Sequence, residues 1–357
     1  MRILILLLGT ALATLLAGCV TQGQRMQAHL MQQPAIDQLM RRYDGAVPGA
    51  SLLVLHDGVA RVHRGYGLSD LEHGVEAGPS TNYRLASITK QFTASAVLLL
   101  VEDGKLALDD RVRQWLPSLP ASDDAITLRH LLTHSSGLVD YEDVIPDSVT
   151  GQLRDADVLR LLEGQTRTYF APGTGYRYSN SGYSLLALVV ERASGMRFQD
   201  FLRERIFLPL GMRDTLAYVQ GGPEVPHRAF GYSGIDGRWI RTDQSPTSAV
   251  LGDGGIYSSI DDLAKWDAAL YDDRLLNEAS RRMAFSPWTK TDDPAVDYGF
   301  GWRITGDSLW HSGETIGFRN VIVRYPKQRL TVILLSNRDD PEPYRTALAI
   351  AKLYQAP

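Results

Sequence analysis

Three short motifs of the sequence carry side chains that could take part in nucleophilic catalysis, and the first is Ser87-Ile88-Thr89-Lys90. Residues three apart on a helix share a face, so the Ser87 hydroxyl and the Lys90 amine can meet. A serine needs such a base or cation beside it to become a good nucleophile. The Ala- and Leu-rich segment from Ser87 to Glu102 predicts a helix, whose free N–H groups in the first turn favour a developing negative charge. The spacing alone is a weak signal, because chance often produces it.

The second motif is Tyr178-Ser179-Asn180, in a predicted loop that precedes a helix. A tyrosine near cations can serve as a general base. An asparagine amide can accept a hydrogen bond from a lysine and donate one to a substrate carbonyl. The alternative interpretation is a loop tyrosine that packs on the core, followed by a helix N-cap.

The third motif is His311-Ser312-Gly313, at the end of a predicted strand. His-x-Gly also occurs at His56 and His63, so the pattern is uninformative by itself. Those two lie in a predicted N-terminal hairpin, before the serine motif. Only His311 follows both of the other motifs, and a histidine can change its charge near neutral pH.

The elements that must position these motifs are strands at both ends of the chain and helices in the middle. Two β-rich runs around Asp57-Gly58 predict a hairpin. Segments rich in Gly, Pro, Ser and Asp, such as 219–247, are predicted loops. Further strands are predicted at 298–304, 307–311, 318–325 and 328–335, and helices at 34–42, 87–102, 155–163, 183–194, 198–206, 261–271 and 342–354. The expected fold class is α+β: an antiparallel sheet built from both chain ends and flanked by helices, with an inserted, mostly helical domain.

The composition is that of an ordinary globular protein. The 357 residues include 37 Lys+Arg and 41 Asp+Glu, which gives a formal net charge of −4, and 44% of them are hydrophobic. A nucleic-acid-binding protein would be expected to show a basic excess, so no nucleic-acid partner is predicted. The single cysteine cannot close an internal disulfide or form a cysteine-based zinc site.

The N-terminal segment accounts for that cysteine. After one arginine, an apolar run over 3–16 has the length of a signal-peptide core and is too short for a membrane-spanning helix. It ends in Leu16-Ala17-Gly18-Cys19, which resembles the bacterial lipoprotein motif, in which the cysteine is acylated. The alternative is a plain secretory signal with a chance cysteine. We expect a signal peptide at 1–18, a polar tether at 19–33, and an exported protein held through Cys19 to the cell membrane or outer membrane, facing the periplasm or cell exterior.

The order and spacing of the three motifs resemble the serine β-lactamase and penicillin-binding-protein superfamily. Roughly 90 residues separate the first motif from the second, and about 130 more lead to the third. The closer likeness, over roughly 34–350, is to the class C-related branch of D-alanyl-D-alanine carboxypeptidases, D-aminopeptidases and esterases. Strings typical of that branch are Tyr83-Arg84-Leu85-Ala86, Leu131-Leu132-Thr133-His134-Ser135-Ser136-Gly137-Leu138 and Gly254-Gly255-Ile256-Tyr257-Ser258-Ser259.

The resemblance implies a fold and a set of roles. It implies a β-lactamase/transpeptidase-like fold over 34–357, with a sheet subdomain at about 34–86 and 255–357 and a helical subdomain at about 87–254. Ser87 would attack a carbonyl and form an acyl-enzyme. Lys90 and Tyr178 would handle its proton, and Asn180 would orient Lys90 and the substrate. No metal or other cofactor is required by this chemistry.

The third motif departs from that of class C β-lactamases, because His311 replaces their lysine. The histidine would hold a tyrosine proton poised or contact a substrate carboxylate, and it argues against an efficient β-lactamase. The backbone N–H groups of Ser87 and of Glu314, next to Gly313, would form the oxyanion hole. Asp253 and Glu314 would also make an acidic rim, which would disfavour anions or recognise an amine. A solvated loop is the favoured alternative for these two carboxylates.

The sequence therefore predicts a lipid-anchored serine hydrolase with a small amide or ester substrate, such as a D-amino-acid peptide or carboxylic ester. The rivals are a catalytically silent lipoprotein that binds or senses cell-wall peptides, and a weak β-lactamase. The oligomeric state stays open. His130 and His134 lack the glutamate of a zinc-protease helix and are expected to be structural. The intact motifs favour an enzyme, because a silent relative would be free to lose Ser87 or Lys90.

Overall fold

The structure is a computed structural model that describes residues 32–355. The predicted signal peptide, Cys19 and most of the predicted tether lie outside the described residues. Within 32–355, no helix combines the length and the apolar character needed to cross a membrane.

Helices and short strands alternate along the chain between two strand-rich ends. The helices are α1 (32–40), α2 (Thr89–Glu102), α3 (Val112–Trp115), α4 (Leu128–Leu132), α5 (Asp155–Glu163), α6 (Asn180–Ser194), α7 (Phe198–Leu202), α8 (Leu208–Leu210), α9 (Leu251–Gly254), α10 (Ile260–Ala269), α11 (Glu278–Ala284) and α12 (Tyr344–Gln355). The strands are β1 (Ala50–His56), β2 (Val59–Tyr66), β3 (Leu68–Asp70), β4 (Val75–Glu76), β5 (Tyr83–Arg84), β6 (Leu216–Ala217), β7 (Tyr232–Ile235), β8 (Arg238–Arg241), β9 (Ile256–Ser258), β10 (Thr289–Lys290), β11 (Asp297–Tyr298), β12 (Arg303–Thr305), β13 (Ser308–Thr315), β14 (Phe318–Tyr325) and β15 (Leu330–Ser336).

One eight-stranded antiparallel sheet is the centre of the fold. Its strand order is β10-β11-β12-β13-β14-β15-β1-β2, so both ends of the chain build it. Strand β12 pairs with β13 only over 308–310, which leaves the far half of β13 with one strand neighbour, β14. The predicted α+β fold class is confirmed, and the free half of β13 is the part that borders the candidate site.

The sheet is buried on both faces, as the alternation along β15 shows. Leu330, Val332 and Leu334 pack in the cluster that includes residues of α1 and α12. Ile333 and Leu335 point the other way, into the larger cluster that includes α2 and α6. Successive strand residues face opposite sides, so a strand buried on both sides is apolar at nearly every position.

Three local predictions differ from the structure. The strand predicted at 298–304 is divided into β11, which ends at Tyr298, and β12, which begins at Arg303. The composition of 219–247 predicts a loop, yet the segment holds the hairpin β7–β8. The turn is Asp236-Gly237, with left-handed φ values of 51° and 74°, which is the type of two-residue turn that Asp-Gly favours. The helix predicted from Ser87 begins instead at Thr89, because a separate 3-10 turn, Ala86–Ile88, precedes α2.

Candidate active site

Ser87 lies on the sharp turn that leads into α2. The preceding residue, Ala86, has a left-handed φ of 50°. That backbone is unfavourable for a residue with a Cβ, so the surrounding packing must hold it. Leu85 and Ala86 are buried, whereas Ser87 is half-buried and lines a cleft. The turn therefore presents the serine to solvent from a fixed backbone.

Lys90 is the centre of the site and is fully buried. Its Nζ donates to Ser87 Oγ at 3.1 Å, to Asn180 Oδ1 at 2.8 Å and to the backbone carbonyl of Asp253 at 3.0 Å. An ammonium has three hydrogens to donate, and each has an acceptor here. A buried charge without such partners would be strongly unfavourable. The structure thus brings Ser87, Lys90 and Asn180 together.

Tyr178 packs its ring over the Lys90 ammonium. The Nζ atom lies 4.8 Å from the ring centroid, within the range of a cation–π interaction. Ser179 is the N-cap of α6, and its Oγ accepts from the N–H of Gly182 at 3.1 Å. The Tyr178 hydroxyl is buried, and no residue of 32–355 hydrogen-bonds to it. A buried, uncommitted phenol beside a serine–lysine pair has the chemistry of a proton carrier.

His134 holds the loop on both sides of Tyr178. The N–H of Ser179 donates to His134 Nδ1 at 3.1 Å, and the N–H of Arg177 donates to the His134 carbonyl at 3.0 Å. The rings of His134 and Tyr178 lie 4.3 Å apart. Burial, reinforced by Lys90, lowers the pKa of His134 well below its usual value. The imidazole is therefore neutral, with its proton on Nε2 because Nδ1 accepts.

The segment Asp140-Tyr141-Glu142 organises the second motif, and the sequence interpretation missed it. Asp140 Oδ2 accepts from the backbone N–H of Asn180 at 2.6 Å, which suits a carboxylate at the start of α6. Glu142 Oε1 accepts from Asn180 Nδ2 at 3.1 Å. With Oδ1 on Lys90 and Nδ2 on Glu142, the Asn180 amide is fixed in one orientation. Acidic residues in a loop are usually solvated, so the sequence carried no signal for this contact.

Asp253 is buried beneath the cleft. Its carboxylate accepts from the Tyr141 hydroxyl at 3.0 Å, while its backbone carbonyl accepts from Lys90. Only 6% of the residue is exposed, since α9 packs against both α2 and α6. Burial raises the pKa of Asp253 to about 7, and the Lys90 charge opposes that rise. The favoured expectation of a solvated loop is wrong for Asp253.

His311 is buried in β13 with both ring nitrogens engaged. Nδ1 lies 2.6 Å from the carbonyl of Ser312, and Nε2 lies 3.0 Å from the hydroxyl of Tyr298. A carbonyl only accepts, so Nδ1 carries the hydrogen and Nε2 accepts from Tyr298. Burial is the main cause that lowers the pKa of His311 well below its usual value, and the positive charge of Arg303 is the next. The ring is therefore neutral. The tyrosine that this histidine holds is Tyr298, not Tyr178, and no ring nitrogen is left for a substrate carboxylate.

Gly313 brings β13 into backbone contact with the turn that carries Ser87. A Cβ built on Gly313 would lie 2.0 Å from the carbonyl oxygen of Leu85, so only glycine fits there. The contact places Glu314 on the same cleft as Ser87. The Glu314 side chain is 53% exposed and lies 3.8 Å from Arg319 Nε, so it is the solvated carboxylate that was expected.

A second cavity of about 280 Å³ is separate from this cleft. Its lining includes Arg154, Asp155, Phe198 and Leu251, and none of the three motifs. The Asp155 carboxylate accepts from the backbone N–H groups of Leu251 and Gly252, so it braces α9. Across 32–355, no group of three or more metal-ligating side chains converges.

The beta-lactamase family model matches residues 29–356. The chain belongs to the beta-lactamase family. The superfamily expected from the motif order is confirmed. Penicillin-binding protein 4* of Bacillus subtilis (strain 168) is 34% identical over 317 residues, which cover 84% of this chain and 70% of the relative. D-aminopeptidase of Gluconobacter oxydans (strain 621H) is 30% identical over 315 residues, which cover 85% of this chain but 58% of the relative.

Solved structures of this family share the fold. The octameric penicillin-binding protein homologue from Pyrococcus abyssi superposes with a TM-score of 0.81 at 27% identity, covering 91% of this chain and 77% of that chain. D-amino acid amidase from Ochrobactrum anthropi SV3, in complex with L-phenylalanine amide, gives a TM-score of 0.77 at 26% identity, covering 91% of this chain and 99% of that chain. The expected β-lactamase/transpeptidase-like fold is therefore confirmed.

Proposed function

We propose that this chain is a serine hydrolase that forms an acyl-enzyme at Ser87 and cleaves small amides or esters, among them amides and peptides of D-amino acids. The observation that supports this proposal most directly is the buried Lys90 ammonium, which donates hydrogen bonds to Ser87 Oγ and Asn180 Oδ1 next to the ring of Tyr178. Two relatives, named D-aminopeptidase and D-amino acid amidase, support the amide preference. The neutral His311 in the third motif also supports a peptidase, amidase or esterase over a β-lactamase.

Each group of the site has one task in this reaction. Ser87 Oγ bonds to the substrate carbonyl carbon, and its proton passes to Tyr178, acting as a phenolate beside the Lys90 cation. Lys90 already donates its hydrogens to three acceptors, whereas the Tyr178 hydroxyl has no hydrogen-bond partner among the described residues. Tyr178 is therefore the group whose oxygen is available to take the proton. The backbone N–H groups of Ser87 and Glu314 stabilise the negative carbonyl oxygen.

The second half of the cycle reverses these transfers. The bond from the carbonyl carbon to the leaving nitrogen or oxygen breaks, and Tyr178 returns the proton to that leaving group. Water then attacks the acyl ester on Ser87, and Tyr178 takes a proton from the water. The bond from the acyl carbon to Ser87 Oγ breaks, Tyr178 returns the proton to Oγ, and the acid is released. The cycle consumes one water, and every other group that it uses belongs to the site described above.

Covalent labelling tests this proposal. The full chain in detergent is incubated with a fluorophosphonate probe and with a fluorescent penicillin, as wild type, Ser87→Ala and the matched control Ser95→Ala. Ser95 lies two turns further along α2, and its hydroxyl donates to the Gln91 carbonyl at 2.9 Å. We expect label in the wild type and in Ser95→Ala and none in Ser87→Ala.

The absence of Ser87-dependent label from both probes would refute the hydrolase and favour the silent binding protein. A panel of nitrophenyl esters, D- and L-amino-acid amides and nitrocefin then separates esterase, amidase and β-lactamase activities. Hydrolysis of nitrocefin faster than that of every amide and ester would contradict the preference proposed here.

A further inference from the structure

The third motif leaves Tyr178 without the positive charge that a lysine would bring. His311 replaces that lysine, and the structure buries the ring with both nitrogens hydrogen-bonded and uncharged. His134, whose ring lies 4.3 Å from that of Tyr178, is neutral as well. A phenolate in a buried site needs nearby positive charge, because burial disfavours the charged form.

Arg303 brings a cation to the same place from the neighbouring strand, β12. Its register partners are Tyr298 on β11 and Trp310 on β13. The guanidinium carbon lies 5.5 Å from the ring centroid of Tyr178, 6.0 Å from that of Tyr298 and 5.4 Å from that of Trp310. Arg303 therefore lies beside Tyr178, on the strand next to the one that carries His311.

The charge of Arg303 is not neutralised by the described part of the chain. Its Nε is buried without a hydrogen-bond partner there, and none of the ion pairs within 32–355 includes it. An unpaired, half-buried guanidinium acts on its neighbours more strongly than one held by a carboxylate. Its effect is visible on His311, whose pKa is lowered by burial first and by Arg303 next.

We propose that Arg303 is a positioning residue for Tyr178, supplying from β12 the positive charge that the third motif lacks and stabilising the phenolate that takes the Ser87 proton. This inference rests on the proposed function. Tyr178 then has two cations near its ring, with Lys90 Nζ 4.8 Å and Arg303 Cζ 5.5 Å from its ring centroid. In this geometry the β12 side chain acts through Tyr178 and does not touch the reacting atoms.

Apart from Lys90 and Arg303, the titratable groups closest to Tyr178 are three tyrosines and two histidines, and these are uncharged. Burial raises the pKa values of the three neighbouring tyrosines and lowers those of the two histidines. The nearby carboxylates interact with neighbours of Tyr178: Asp292 with Tyr176, and Glu142 and Asp253 with Lys90. The two cations are Lys90 of α2 and Arg303 of β12. The uncharged groups are His134 after α4, Tyr176 in the loop that carries Tyr178, Tyr183 of α6, Tyr298 of β11 and His311 of β13. The carboxylates are Asp292, Glu142 and Asp253.

The sign and size of the effect follow from Coulomb's law. A unit charge about 6 Å away shifts a titration by about half a pH unit at the dielectric constant of water, about 80, and by about two pH units at about 20, so a shift of about one unit is expected for a half-buried charge. Removal of the Arg303 charge makes the phenolate less favourable, so a higher pH is needed to form it. The acid limb of the rate profile should therefore move upward.

The test is the pH dependence of kcat/KM for an uncharged ester, p-nitrophenyl acetate, from about pH 5 to pH 10, with KM measured in parallel for a substrate that has a free carboxylate. The full chain is compared as wild type, Arg303→Gln, Arg303→Met and Arg303→Lys, with thermal unfolding recorded for each. Arg205→Gln is the matched control. Its guanidinium carbon also packs on an aromatic ring, that of Phe201, at 5.4 Å, but it is paired with Asp103 at the far end of α2.

We expect the acid limb to move up by about one pH unit in Arg303→Gln and Arg303→Met and to stay near the wild-type position in Arg303→Lys and in the control. An unmoved limb in either folded neutral variant overturns the inference, as does an equal shift in Arg303→Lys. A KM increase confined to substrates with a free carboxylate also overturns it, because Arg303 would then bind substrate. If the wild type shows no Ser87-dependent hydrolysis, the proposed function itself fails, whereas an unmoved limb in an active enzyme refutes only the inference.

Discussion

Replacement of Gly313 by alanine is expected to disable the oxyanion site. The new Cβ would lie 2.0 Å from the carbonyl oxygen of Leu85 and 3.4 Å from Ile88 Cγ1. Ordinary contacts begin near 3.4 Å, so β13 and the turn before α2 must separate by about 1.4 Å. Both neighbouring atoms belong to the segment that carries Ser87, and the nearest one is backbone, which cannot rotate away.

The separation acts on both proposed oxyanion donors. Leu85 precedes Ser87 by two residues, and Glu314 directly follows Gly313. Loss of one donor from an oxyanion hole typically lowers kcat by about 10²–10³. The added methyl group also overpacks the site, which costs about 1–3 kcal/mol of unfolding free energy. We expect kcat to fall at least about 100-fold while the protein remains folded.

The assay is steady-state hydrolysis of a nitrophenyl ester together with urea unfolding. Gly151→Ala is the control, because Gly151 lies in an exposed loop with an ordinary φ, and a Cβ added there would meet no heavy atom of the described chain within 4 Å. It should change neither kcat nor the unfolding free energy measurably. A folded Gly313→Ala enzyme with a kcat within about threefold of wild type would refute the oxyanion assignment of Ser87 and Glu314.

Three further outcomes are expected. Burial raises the pKa of Asp253 to about 7, so its contribution to stability is fully present below about pH 4 and is lost as the pH rises to about 7. Asp253→Asn keeps an acceptor for Tyr141 and should gain up to about 4 kcal/mol of unfolding free energy relative to wild type between those two pH values. Urea unfolding at both pH values measures this gain, and a difference that does not change with pH would contradict the prediction. Asn180→Ala removes one acceptor from the buried Lys90 ammonium and should lower kcat for ester hydrolysis about 10- to 100-fold; an unchanged kcat would show that this hydrogen bond is dispensable. Cys19→Ser should abolish incorporation of radiolabelled palmitate, and equal labelling of both proteins would remove the proposed lipid anchor.

The sequence predicted the large features because they depend on local patterns. Strands at both chain ends and helices between them imply a sheet closed by the two termini, and the order β10 to β15 followed by β1 and β2 agrees. Ser87 and Lys90 are three residues apart, so their contact follows from helix geometry alone. The hairpin β7–β8 was missed although its Asp236-Gly237 turn is a strong local signal, because the surrounding segment is rich in loop-forming residues.

Tertiary structure alone decided how the site is held and charged. Two of the three acceptors of Lys90 lie 90 and 163 residues away along the chain, and the Asp140-Tyr141-Glu142 segment fixes Asn180 from about 40 residues away. Burial sets the protonation of Asp253 and His311, and a residue type does not report its own burial. The sequence by itself determined which chemical groups are present and in what order. Packing determined which of them meet and which are charged, because hydrogen-bond partners and local dielectric arise only when distant segments come together.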